Sequence, residues 1–137
     1  MRRYVLDANA VLIFLAGRPG NRRVKALFAD ANRVQSPLLM SAVNWGEVVY
    51  SLWKQSGPSE VQRLNEEAAH LPLLILPVDR KRATYAAELK ARHDLAYADS
   101  FAAALTLELS ATLVTADPEF TKVGKRLKLL SLPHHNA

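Results

Sequence analysis

The chain contains no cysteine, so a disulfide framework, a thiolate zinc site and a thiol nucleophile are all excluded. It also lacks a long apolar run. The longest, Leu71 to Val78, holds two prolines and stops well short of the roughly 20 residues a membrane span requires. The Met1-Arg2-Arg3 start passes straight into a strand-like segment and has no signal-peptide pattern, which makes the cytoplasm the expected compartment. No Gly-x-Gly-x-x-Gly or Gly-x4-Gly-Lys-Ser/Thr pattern follows a strand, and dinucleotide and P-loop enzymes are thereby set aside. Internal repeats, linkers and low-complexity tracts are absent as well.

What is present suits one domain over residues 1–137. The 137 residues are 50% apolar and 23% charged, the size and balance of an ordinary domain. A chain near this length hides about 70% of the surface it exposes when unfolded, enough for a core without metal or disulfide staples. Eighteen Lys and Arg against thirteen Asp and Glu give a formal charge of +5, which biases encounter toward polyanions and makes nucleic acid a candidate partner.

Short apolar runs alternate with helical patterns along the chain. Tyr4-Val5-Leu6 reads as a strand, Ala8 to Leu15 as a helix stopped at Gly17-Arg18-Pro19-Gly20, and Asn21 as the cap of a helix to about Asn32. Val34 to Met40 is the next expected strand. Ser41 caps a helix from Ala42 to Gln55, with Trp45, Val48, Val49 and Leu52 on one apolar face, and Gly57-Pro58 closes it. Ser59 is the expected cap of a helix to His70, Leu73 to Val78 a buried strand, and Asp79 the cap of a helix to about His93. An alanine-rich helix, Tyr97 to Ser110, precedes a strand at Thr112 to Thr115, a cap at Asp117-Pro118 and a last strand at Leu127 to Leu132. The alternation predicts an α/β fold: a central, mostly parallel sheet of four or five short strands with helices on both faces.

Open parallel sheets collect ligands outside the carboxyl ends of their strands, and several acids fall there. Asp7 ends the first strand, Glu47 lies in the helix after the second, Asp99 sits in the first turn of the alanine-rich helix and Asp117 follows Thr112 to Thr115. Asp7 and Asp117 also read as N-caps, and Glu47 as a surface carboxylate. Asp99 is harder to explain away, because Ala102, Ala103 and Thr106 make its helix face small and apolar. A carboxylate there must be paired, hydrogen-bonded or bound to a cation. Clustered carboxylates with no matching base repel one another unless a cation bridges them. Oxygen donors without cysteine or an ordered histidine set suit Mg2+ or Mn2+ better than zinc. His70, His93 and His134-His135 show no ligand spacing.

Four segments together resemble a known family. Asp7-Ala8-Asn9-Ala10-Val11-Leu12, the stretch Ser41 to Val48 with Glu47, Ala98-Asp99-Ser100-Phe101-Ala102-Ala103-Ala104 and Leu113-Val114-Thr115-Ala116-Asp117-Pro118-Glu119-Phe120 look like the motifs of PIN-domain ribonucleases. The small size resembles in particular the VapC toxins of prokaryotic toxin-antitoxin pairs. The resemblance covers nearly the whole chain, and it implies an acidic metal and catalytic site of Asp7, Glu47, Asp99 and Asp117, with Asn9 and Thr115 as supporting polar groups. Ala8 departs from the pattern, since relatives often carry Thr or Ser directly after the first Asp. The implied activity is Mg2+- or Mn2+-dependent hydrolysis of RNA by metal-activated water. The implied partners are RNA, a VapB-like antitoxin and a second copy in a homodimer.

RNA must also be held. Arg80-Lys81-Arg82 places cations in a helix's first turn, against the macrodipole, which fits either phosphate contact or a solvated basic turn. Lys122, Lys125, Arg126 and Lys128 form a second basic cluster. Trp45, Tyr50 and Trp53 share one helix, and any that is exposed is an expected docking anchor. The alternative function keeps the fold but binds RNA or protein without cleavage. Other α/β enzymes fit less well: a haloacid-dehalogenase phosphatase needs a second Asp where Asn9 stands, and a receiver domain needs paired acids near the first strand.

Overall fold

Tyr4–Leu6 forms β1 at the centre of the sheet. The computed structural model describes residues 2–133 and adds β2 (Leu38–Ser41), β3 (Leu73–Leu76), β4 (Thr112–Thr115) and β5 (Leu129–Ser131). Their order is β3-β2-β1-β4-β5, and every neighbouring pair is parallel. Parallel pairing requires a long crossover between strands, and helices provide it. These are α1 (Ala8–Ala16), α2 (Asn21–Val34), α3 (Ala42–Ser56), α4 (Pro58–Ala68), α5 (Arg80–His93) and α6 (Tyr97–Glu108), with a 3-10 helix at Pro118–Val123. The predicted α/β layering is the observed one, with five strands and no antiparallel pair.

Side chains alternate across the strands, as a period of two demands. Leu6, Met40 and Val114 join a core with α1, α2, α3 and α4. Val5, Leu39 and Leu113 join a second core with α5, α6 and the 3-10 helix. The alanines of α6, Ala102 to Ala104, let that helix lie close to the sheet. No helix among the described residues is long and apolar enough to cross a membrane.

Several local expectations are corrected. Gly20, at φ 99°, caps α2 in place of Asn21, whose side chain instead donates to the Arg18 carbonyl. Gly57, at φ 82°, precedes α4, so Pro58 rather than Ser59 opens that helix. β2 begins at Leu38 because Gln35, at φ 54°, closes α2 and Pro37 has no N–H to give the ladder. β3 ends at Leu76, before Pro77, and it is an edge strand with Leu74 47% exposed, not a buried one. β5 is shorter than Leu127 to Leu132. His134 and His135 lie outside the described residues.

The strand order sets the position of a crevice. The chain moves outward from β1 through β2 to β3, then returns past β1 to β4. Between β1 and β4 the crossovers diverge, and the carboxyl ends of these two strands are where such a sheet presents a ligand site.

Candidate active site

Asp7 follows β1 and caps α1. Its Oδ1 accepts the Ala10 N–H at 2.8 Å, and its Oδ2 accepts the Thr115 hydroxyl from the end of β4. Thr115 Oγ1 in turn accepts the Asp117 N–H at 3.0 Å, and Asp117 Oδ1 accepts the Glu119 N–H at 2.9 Å. One chain of hydrogen bonds therefore ties the two strands at the switch in their order. Asp7 is only 3% exposed and Thr115 is buried. The cap bond and the bond from Thr115 use different oxygens of one carboxylate.

The other two acids are linked by a residue that the sequence did not single out. Asn44 in α3 donates from Nδ2 to Glu47 Oε1 at 3.1 Å and to the Ala98 carbonyl at 3.0 Å, one residue before Asp99. Its side chain is 0% exposed and its Oδ1 has no partner. Both amide protons are spent on aiming Glu47 and docking the start of α6, at the cost of an orphaned acceptor. The available signal was an Asn three residues before Glu47, between apolar Val43 and Trp45, on the same helix face. Asp99 itself stands in the first turn of α6, where the helix dipole favours negative charge.

Burial raises the Asp7 carboxyl to about 7; the bonds from Thr115 and Ala10 oppose the rise, and the charges of Asp99 and Asp117 add to it. Asp99 is raised to about 6, first by burial, then by the charges of Asp117, Glu47 and Glu119. The four acids thus share one electrostatic neighbourhood. Among the described residues none of them forms an ion pair with Arg, Lys or His. Nor do any three acidic or histidine side chains there converge closely enough to share one metal ion. In donor chemistry and charge the set fits a hard divalent cation, being all oxygen, with Lys122 near Asp117 the nearby cation and itself paired with Glu119. Asn9, in the first turn of α1, is partly exposed and makes no side-chain hydrogen bond among the described residues.

Residues 4–126 match the PIN domain family model. The chain belongs to the PIN-domain family. No curated protein matches it. Solved structures share the fold of this PIN domain at low identity. One is VapBC2 from Rickettsia felis, bound to a DNA fragment from its promoter, with TM-score 0.72 and 20% identity over 94% of this chain and 98% of that one. Another is DNA-bound VapBC from Salmonella typhimurium, at TM-score 0.73 and 17% identity, covering 96% and 98%. A third is VapC20 of Mycobacterium tuberculosis, described as a Sarcin-Ricin loop cleaving toxin, at TM-score 0.68 and 17% identity, covering 88% and 95%.

The basic turn of this PIN domain is not uniform. Arg80 and Lys81 are exposed. Arg82 is engaged: its guanidinium holds Glu108 with bonds of 3.1 and 3.0 Å and donates to the Pro77 carbonyl at 2.8 Å. That fork pins α5 to α6, so Arg82 differs from its two neighbours in having its donors spent. Lys122 is likewise paired, with Glu119 at 2.6 Å. On α3, Trp45 packs against the core while Tyr50 and Trp53 are 65% and 54% exposed.

Proposed function

We propose that this PIN domain is a Mg2+- or Mn2+-dependent endoribonuclease, the toxin of a toxin-antitoxin pair, acting in the cytoplasm. The observation that carries the reading is the pair Asp7 and Asp99: two carboxylates raised by burial and by neighbouring negative charge, with no cationic side chain to offset them. Asp7 is buried and Asp99 partly buried, and ionising them side by side calls for a cation beyond the hydrogen bonds that Asp7 already accepts. Their position at the switch in strand order is where an α/β sheet presents a ligand site.

Phosphodiester hydrolysis needs an in-line nucleophile, charge neutralisation at phosphate and stabilisation of the leaving oxygen. Asp7, Glu47, Asp99 and Asp117 are the residues that would hold divalent ions, which would supply the neutralisation and lower the pKa of an attacking water. The chain's own part is orientation. Ala10 and Thr115 fix both oxygens of Asp7, Asn44 restrains Glu47, and the Glu119 N–H restrains Asp117. A protonated Asp7 or Asp99 binds a cation poorly, so binding strengthens as pH rises through about 6 to 7.

RNA is the proposed substrate and a VapB-like antitoxin the proposed partner, with a homodimer as the assembly. Exposed Tyr50 and Trp53 are the aromatic anchors such interfaces use. A second reading, a non-catalytic RNA- or protein-binding module, is favoured by one observation, the incomplete convergence of the acids. The full set of four acids weighs against it.

Purified, partner-free protein incubated with total RNA in Mg2+ or Mn2+ is expected to give discrete cuts that vanish with chelator and in Asp99→Asn. Cutting that survives in Asp99→Asn removes the site assignment. Absence of cutting by the folded protein with either ion favours the binding module.

A further inference from the structure

The sheet has a second pole. Because all five strands are parallel, their amino ends lie together on the edge opposite Asp7 and Asp117. An open groove of about 530 Å3 runs there beside Tyr4, Thr112 and Leu129, the first residues of β1, β4 and β5. Four cations line it: Arg2 and Arg3 before β1, Arg23 in α2 and Lys128 before β5. Among the described residues no carboxylate lines it. Asp30, in the adjoining cleft with Arg2 and Arg3, is held by Arg33.

What marks this gathering is that four cations share one concavity. Arg33, Arg63, Arg92 and Lys122 each pair with an acid three or four residues away on their own helix. None of the groove cations has an ion-pair partner among the described residues. Arg3 is also pre-positioned, since its guanidinium donates to the Leu109 carbonyl at the end of α6. Unpaired like charges around one concavity repel each other and are relieved by a ligand carrying several anions.

We propose that this groove is an exosite for the phosphodiester backbone of RNA, holding a segment of substrate away from the bond that is cut; it rests on the ribonuclease reading above. Two features favour RNA over an acidic polypeptide. Protein interfaces are centred on exposed aromatic or aliphatic anchors, whereas Tyr4, Leu129 and Leu130 here are partly buried. A phosphate backbone needs only spaced cations, and guanidinium groups match phosphate geometry. Strands of three to four residues span about 10 to 13 Å, and helices cover both faces of the sheet, so RNA that joins the two poles takes a longer path over the surface. A substrate confined to the scissile bond does not reach the groove; a longer RNA does.

The test measures RNA affinity against salt in an Asp99→Asn background, with single strands of about 20 and about five nucleotides as probes. Arg23→Gln with Lys128→Gln is compared with Arg63→Gln with Arg92→Gln, which removes the same net charge elsewhere. For the longer RNA, the groove variant is expected to flatten the slope of log K on log salt by about 1.4 and to weaken low-salt binding on the order of tenfold. The short RNA and the control variant are expected to stay unchanged. An unchanged slope, an equal loss in the control, an equal loss with the short RNA, or equal competition by polyglutamate would each overturn the exosite. Failure of the ribonuclease reading is seen separately, as absence of metal-dependent cutting by the wild-type chain.

Discussion

Replacing Asp7 by Asn should stabilise the metal-free protein by an amount that grows as pH rises from about 4 to about 7 and then levels off. The carboxyl is 3% exposed and rises on folding from 3.8 to about 7. An acid raised by folding holds its proton longer in the native state than in the unfolded one. Its contribution to stability is therefore intact below about pH 4 and is lost as pH climbs to about 7. At about 1.4 kcal/mol per tenfold, the loss is about 4 kcal/mol at most. Water reaching the carboxylate trims this, and about 2 to 4 kcal/mol is the expected range.

Asn removes that pH-dependent cost while keeping an oxygen to accept the Ala10 N–H, so the cap of α1 survives. The bond with Thr115 is altered, which costs about 1 kcal/mol. That penalty does not vary with pH and cancels when the difference between variant and wild type is followed across pH. For 137 residues the unfolding entropy is about 0.3 kcal/mol/K, so the difference in Tm should widen by about 7 to 14 °C between pH 4 and pH 8. Thermal unfolding with chelator at each pH measures this directly. Parallel Tm curves for the two proteins would refute the claim that Asp7 is a carboxylate under electrostatic load. Mn2+ is expected to raise the wild-type Tm at pH 8 and to leave Asp7→Asn nearly unmoved.

Asn44→Ala should destabilise the fold by about 1 to 3 kcal/mol in denaturant unfolding, because the Ala98 carbonyl loses its buried donor. It should also reduce the Mn2+-induced rise in Tm, since Glu47 is released; a full Mn2+ response would return Asn44 to a purely structural role. Arg82→Ala should cost about 1 kcal/mol or less, the pair with Glu108 being partly exposed, and leave the salt slope of RNA binding unchanged. Arg80→Ala should flatten that slope by about 0.7 for a single strand if this turn meets phosphate. An effect at Arg82 as large as at Arg80 would contradict the division between the two.

The elements of this fold were legible because each strand is a short apolar run and each helix carries its own pattern. Their ends were less so. Asn21 and Ser59 have the side chains that caps prefer, yet Gly20 and Gly57 stand before these helices with φ of 99° and 82°, a conformation open to glycine at no steric cost. β3 illustrates a different limit. Leu73-Leu74-Ile75-Leu76 is apolar throughout, as a central parallel strand would be. Whether such a strand sits inside the sheet or at its edge depends on neighbours that its own residues do not encode, and here one side is open.

The site shows the same division between single residues and their partners. Asp7, Asp99 and Asp117 could be picked out because each follows a strand or opens a helix. The bonds Ala10–Asp7, Asn44–Glu47 and Glu119–Asp117 are local, but the bonds that bring the acids together across elements join residues far apart. Thr115 and Asp7 are separated by 108 positions and Asn44 and Ala98 by 54. Parallel strands explain why those separations still bring function together. Residues just after strands, such as Asp7 and Asp117, meet at one edge of the sheet, and residues just before strands, such as Arg3 and Lys128, meet at the other. The formal charge of +5 therefore conceals an acidic pole and a basic pole. An acidic pole alone repels phosphate, so on the proposed ribonuclease reading RNA would need cations elsewhere on the surface to arrive and a divalent ion among the acids to remain. Salt weakens the first of these at exposed arginines and lysines far more than the second at buried Asp7. Arrival and retention are thus separable by salt and chelator, even though one sheet arranges both.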